Sequence, residues 1–276
     1  MYEFACHTWA FNDLTLPEAL GTIARLGFRY VDIGSGAHFS MTRAATEPDA
    51  LAAEIRADLA MFNLQVSDLY LMLPRISIAD ENKRRSELEL FRAMLPFAKA
   101  LGVSGVTVSP GVAHPSDDRE ALKNTTVALR NMVRWAQRLE LDLSIEPHMD
   151  SMAQTPDAAL RWLHAAPGLK ITLDWANMLY QNIAFDDIAP LLPHTRHVQV
   201  RQAARDHLQT PFDKGQLDLS GVLRVLRDAD YAGVVAVEYL PMTGERHGMM
   251  AVNAIRECAR LRDALRDARD DMLAET

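Results

Sequence analysis

The stretch Arg25-Leu-Gly-Phe-Arg-Tyr-Val31 closes an amphipathic run and opens a β-branched one. It returns in divergent form as Ala100-Leu-Gly-Val-Ser-Gly-Val106 and Asp230-Tyr-Ala-Gly-Val-Val235. A glycine after the last apolar position of a helical pattern is the usual helix stop, because it tolerates the left-handed conformation. Each copy therefore marks a helix-to-strand junction, and the recurrence reads as a βα repeat. Working outward from these junctions, short β-branched runs predict strands at Glu3–His7, Arg29–Gly34, Gln65–Leu71, Gly105–Ser109, Leu141–Pro147, Lys170–Trp175, His197–Arg201 and Val234–Tyr239. An amphipathic helical pattern follows each of them. Thr15-Leu-Pro-Glu18 and Thr155-Pro-Asp157 supply N-cap residues with proline in the first turn.

The chain has 276 residues, 49% of them apolar, with 29 basic and 37 acidic side chains and a net charge of −8. This composition excludes disordered, collagen-like and disulfide-scaffold classes. The negative balance argues against a nucleic-acid partner, and no apolar run approaches the roughly 18–20 residues of a membrane span. The beginning shows no basic-then-apolar signal pattern, and the two cysteines, Cys6 and Cys258, read as reduced core thiols. The expected location is the cytoplasm. No linker or composition shift divides residues 1–276, so one domain is expected. Eight βα units in one domain specify an α/β fold, a single (β/α)8 TIM barrel. The rival is an open, doubly wound sheet carrying a dinucleotide, but Gly34-Ser-Gly36-Ala-His-Phe39 lacks the third glycine of its fingerprint.

In such a barrel strand residues alternate between interior and helix layer, and chemistry gathers at the C-terminal strand ends. Apolar Leu143, Ile145, Leu173, Val198, Val200, Val235 and Val237 take the outward positions. Glu146, Asp174, Gln199 and Glu238 then face inward from four consecutive strands. Three carboxylates in a confined core repel one another and are costly to bury unpaired, and a divalent cation relieves both problems. An all-oxygen donor set favours Mn²⁺ or Mg²⁺. The competing reading pairs these acids with Arg201, Arg205 or Lys170 in an ion network.

Ile145-Glu-Pro-His148, Thr172-Leu-Asp-Trp175, Arg196-His-Val-Gln-Val200 and Val235-Ala-Val-Glu-Tyr-Leu-Pro241 resemble the motifs of the xylose isomerase-like TIM barrels. That group includes sugar-phosphate isomerases and epimerases, hydroxypyruvate isomerases, ketose 3-epimerases and the endonuclease IV group. The resemblance implies that Glu146, Asp174, Gln199 and Glu238 are metal ligands. Many members have His where this chain has Gln199, whereas the hydroxypyruvate isomerase branch has Gln. Many also carry His three residues after the strand-six Asp, where this chain has Asn177. The endonuclease branch needs a His-rich zinc site, so DNA cleavage is not expected.

The implied activity is a divalent-metal-dependent isomerase or epimerase of a sugar, keto-sugar or small hydroxy-ketone, with proton transfer through a cis-enediolate. Glu146 and Glu238 are the expected acid and base, with His148 as a further acid/base or hydroxyl ligand. His7, Arg201 and Arg205 are expected to bind substrate. The alternative keeps the metal and ends in elimination, as a dehydratase or a C-glycoside-cleaving catalytic subunit. A third reading is a non-catalytic binding barrel. The implied partners are a sugar-like small molecule and either a second copy of the chain or a small partner subunit.

Lesser expectations complete the reading. Trp9, Phe11, Phe39, Met41 and Met72 would form an apolar wall opposite the metal. His38 reads as a solvated loop residue, and His194 lies at the barrel's other end. Arg256–Asp270 reads as a solvated helix face or part of a dimer contact.

Overall fold

Eight parallel strands pair in chain order and close on themselves: β1 (Phe4–His7), β2 (Tyr30–Gly34), β3 (Gln65–Leu71), β4 (Gly105–Val108), β5 (Asp142–Ile145), β6 (Leu169–Asp174), β7 (Thr195–Val200) and β8 (Val235–Val237). The computed structural model describes residues 2–241, 244 and 246–275. The helices that link the strands are α1 (Leu16–Arg25), α2 (Met41–Thr46), α3 (Pro48–Met61), α4 (Glu81–Leu101), α5 (Arg119–Gln137), α6 (Pro156–Ala165), α7 (Trp175–Tyr180), α8 (Phe185–Ile188) and α9 (Leu219–Asp228), and α10 (Ala254–Ala274) follows the last strand. This is the (β/α)8 barrel that the repeat predicts. No helix of the described residues is long and apolar enough to cross a membrane.

The main core lies between barrel and helices. The outward residues Leu143, Ile145, Leu173, Val198, Val200, Val235 and Val237 are buried there, each contributing about 1.5–3 kcal/mol of transfer free energy. The helix starts follow their caps. Glu18 Oε2 accepts from the Thr15 backbone N–H at 2.9 Å, and Thr155 Oγ1 accepts from the Ala158 N–H at 3.3 Å. Gly27 and Gly102 end their helices with φ of 83° and 91°. In the third junction the left-handed residue is Asp230, φ 54°, rather than Gly233. Asparagine and aspartate tolerate that region because a short polar side chain bonds locally. One face of α10 packs on the core through Cys258, Leu261 and Leu265, so the charged run there covers only its other face. Cys6 and Cys258 are buried free thiols with their sulfurs 3.8 Å apart.

Two register shifts break the alternation. Val31 pairs with Val66 and Asp32 with Asp68, which leaves Ser67 as an extra residue of β3. Ile171 pairs with Thr195 and Thr172 with His197, which leaves Arg196 extra in β7. A bulge re-aims the side chain it inserts. Both enter the lower barrel interior and complete a polar layer. Arg196 Nη2 donates to Asp68 Oδ1 at 2.6 Å and to Ser144 Oγ at 2.8 Å. His197 Nε2 lies 2.6 Å from Asp32 Oδ2, whose other oxygen accepts from Ser67 Oγ at 2.5 Å. Two buried acids thus meet two buried bases beneath the strand tops.

Candidate functional site

Glu146 stands one residue past β5, Asp174 ends β6 and caps α7, Gln199 lies in β7, and Glu238 follows β8. All four are buried. One carboxylate oxygen from each of Glu146, Asp174 and Glu238 lies within 4.8 Å of the other two, close enough for the three to hold a metal ion. Gln199 Nε2 donates to Glu238 Oε1 at 3.2 Å, while its Oε1 is buried with no hydrogen-bond partner among the described residues. An orphaned buried amide oxygen beside three carboxylates suits a hard cation.

Arg201 does pair with two of these acids. Its Nη1 donates to Glu238 Oε2 at 2.6 Å, and its Nη2 lies 2.9 Å from Asp174 Oδ2. Arg201, expected to bind substrate, has its guanidinium buried among the acids with one side on the cavity. Lys170 instead pairs with Asp142 at the surface. Arg205, also expected to bind substrate, is exposed and does not line the cavity. It sits in the turn closed by the bridge between Ala204 and His207, where the loop path rather than strand alternation sets direction.

Tyr70 and Asn177 complete the surroundings of Glu146. The Tyr70 hydroxyl donates to Glu146 Oε2 in a short hydrogen bond. Asn177 Nδ2 donates to Glu146 Oε1 at 3.1 Å and to Asp174 Oδ2 at 2.6 Å. Sequence reasoning missed both contacts. The signal for Tyr70 was present, because it alternates with the outward Leu69 and Leu71. His7 accepts the Trp9 N–H at Nδ1, and its buried Nε2 faces Glu238 Oε1 at 4.0 Å. Gly34 permits this packing, since a Cβ there would meet Trp9 Nε1 at 2.2 Å and His7 Cε1 at 2.7 Å.

Burial sets the electrostatics. It pushes the Glu238 carboxyl well above its ordinary range, against the Arg201 charge, and the Glu146 and Asp174 charges add to the rise. It raises Glu146 too, partly offset by His148. Burial likewise pushes the His7 imidazole down to about 4 despite Asp32 and Asp68 nearby, so it is neutral near pH 7.

Above the acids opens a cavity of about 310 Å³. Glu146, Asn177, Arg201 and Glu238 line it with His148, while Trp9, Tyr70, Met72, Leu208 and Leu240 give it an apolar wall. His148 Nε2 lies 2.9 Å from Ser109 Oγ. Of the expected apolar wall, Trp9 and Met72 line the cavity, whereas Phe11 and Phe39 belong to the core and Met41 packs against it. His38 is buried rather than solvated, its Nε2 3.1 Å from the Phe11 carbonyl oxygen. At the mouth, Asp150 Oδ2 lies 2.7 Å from His247 Nε2 and pairs with Arg246, which links the loops after β5 and β8.

Comparison with known proteins bears on family and fold. The chain is similar to a putative hydroxypyruvate isomerase of Mus musculus, 27% identical over 264 residues, 85% of this chain and 87% of that protein. A putative hydroxypyruvate isomerase of Danio rerio is 24% identical over 260 residues, 88% of this chain and 91% of that protein. The fold resembles the crystal structure of 3-keto-D-glucoside 4-epimerase from E. coli, with TM-score 0.74 and 19% identity over 98% of this chain and 100% of that one. The sequence pattern of one family matches residues 20–264, most of the barrel and all four strand-top ligand candidates. The chain belongs to the xylose isomerase-like TIM barrel family.

Proposed function

We propose that this protein is a divalent-metal-dependent isomerase or epimerase of a sugar-like hydroxy-ketone, working by proton transfer through a cis-enediolate. The observation that carries the reading is the meeting of Glu146 and Glu238 at one cavity, with Asp174 and the orphaned Gln199 Oε1 beside them. The names of the relatives, isomerases and an epimerase, support the same class. Mn²⁺ or Mg²⁺ held by Glu146, Asp174, Gln199 and Glu238 would polarise the substrate's carbonyl and hydroxyl oxygens and acidify the carbon-bound proton between them.

The chain's own residues do the rest. One of Glu146 and Glu238 takes the proton from carbon, and one returns it to the neighbouring carbon or to the opposite face of the same carbon. Their burial makes each, once ionised, a stronger base than an exposed glutamate. Tyr70 and Asn177 hold Glu146 in one orientation. Trp9, Met72, Leu208 and Leu240 exclude water from the enediolate. His148 reaches a substrate hydroxyl, and the positive charge of Arg201 at the cavity stabilises a developing oxyanion without leaving Asp174 and Glu238. His7 backs Glu238 as a positioning residue. The cavity is larger than a three-carbon substrate needs, which favours a ketopentose, a ketohexose or a keto-glycoside.

The test is turnover in D₂O by the Mn²⁺-loaded protein, with ketoses, hydroxypyruvate and 3-keto-glucosides as substrates. An isomer carrying solvent deuterium is the expected product. Glu146→Gln and Glu238→Gln should each lower kcat by about 10²–10⁴-fold. Two fragments instead of an isomer would favour a lyase, with His148 at the cavity rim as the acid for the leaving group. No product and no deuterium in any substrate would refute the proposal.

A further inference from the structure

Arg201 is built into the acidic cluster rather than laid over it. Its side chain is almost wholly buried, 2% exposed. Nε donates to the Leu208 carbonyl at 3.2 Å and Nη1 to the Glu238 carbonyl at 3.3 Å, so backbone on two loops fixes the guanidinium. From that position it contacts Glu238 Oε2 at 2.6 Å and Asp174 Oδ2 at 2.9 Å. These acids come from β6 and β8, on either side of Gln199, so one cation bridges two of the three carboxylates. The polar layer below is closed by its own ion pairs, Asp68 with Arg196 and Asp32 with His197, and offers no other counter-charge among the described residues.

The charge count follows directly. Glu146, Asp174 and Glu238, fully ionised, carry three negative charges, and Arg201 returns one positive charge. A divalent ion brings the total to zero. We infer that Arg201 is a resident counter-cation. It holds the acidic cluster together when no metal is bound, and it lowers the cluster's affinity for a divalent ion because the two cations share Asp174 and Glu238. This rests on the metal-site reading proposed above.

The sign of its effect separates this role from that of a residue which merely orients ligands. Loss of an orienting neighbour weakens metal binding by about 10–100-fold. Loss of a competing cation strengthens it, because repulsion between like charges at short range is relieved. The decisive experiment is calorimetric titration of chelator-stripped full-length protein with Mn²⁺, with Tm measured before and after loading. The variants are Arg201→Met and Arg201→Lys.

Stripped Arg201→Met should melt several degrees below the stripped wild type, since two buried acids lose their partner. It should bind Mn²⁺ about tenfold more tightly and gain more in Tm on loading. Arg201→Lys keeps the charge but reaches only one acid, and its affinity should fall between the two. If stripped Arg201→Met does not fold, Arg201→Lys decides: tighter binding than wild type supports the inference. Equal or weaker binding in the deciding variant overturns it and leaves the metal site standing. A wild type that binds no divalent ion overturns both the metal site and this inference.

Discussion

Asn177 Nδ2 lies 3.1 Å from Glu146 Oε1, although the two residues come from different strand ends, and it also lies 2.6 Å from Asp174 Oδ2. One neutral amide therefore fixes the relative placement of two acids without adding charge. Asn177→Ala should lower Mn²⁺ affinity by about 10–100-fold, opposite in sign to the loss of Arg201. Calorimetric titration of the stripped variant checks this. Unchanged affinity would show that Glu146 and Asp174 are held by other contacts.

The strand-top acids were legible because Val, Ile and Leu alternate with inward residues in the upper halves of β5 to β8 and leave the acids a single face. The lower layer was not legible in the same way. Ser67 and Arg196 enter the interior through bulges, and an inserted residue shifts the alternation without changing composition. Arg201 lay on the inward face by the same rule, but alternation gives direction and not partner. Arg205 lies five residues past the end of β7, where only the loop path decides. Phe11 and Phe39 looked like pocket residues because loops beside an active site and loops over a core share apolar composition.

Tyr70 donates its hydroxyl to Glu146 Oε2, which favours the ionised carboxylate against the burial that raises it. Tyr70→Phe removes that donor and leaves the ring in place. The Glu146 pKa should rise further, and the acidic limb of the kcat/KM profile should move to higher pH. An unmoved acidic limb would show that ionisation of Glu146 does not control it.

Glu238 gives the stripped protein a pH dependence of definite sign. Burial, resisted by Arg201, holds its folded pKa well above the ordinary 4.5. The folded state then keeps a proton that the unfolded state has lost, so Glu238's contribution falls as pH rises from 4.5 through the raised value. Metal ligation needs the ionised carboxylate and releases that proton. The rise in Tm caused by Mn²⁺ should therefore grow as pH rises from 4.5 through that raised value. Paired melting curves with and without Mn²⁺ measure it, and a pH-independent gain would contradict a protonated Glu238 in the stripped protein.

The Asp32–His197 pair, 2.6 Å apart and buried, supplies a separate window. Burial alone would lower the His197 pKa, but the Asp32 charge and hydrogen bond overcome it and hold the value above 6.5. That contribution is complete below 6.5 and is lost as pH rises through the folded value. Asp32, raised by burial but lowered further by His197, has a folded pKa below 3.8, and its contribution is lost only as pH falls through that lower value. Asp32→Asn leaves the imidazole buried without its acid and should cost about 3–5 kcal/mol near pH 6. Urea unfolding of both proteins from about pH 6 to 9 should show the gap narrowing as wild-type His197 loses its proton. A gap constant over that range would show that His197 loses no proton within it, against the loss expected as pH rises through its folded value.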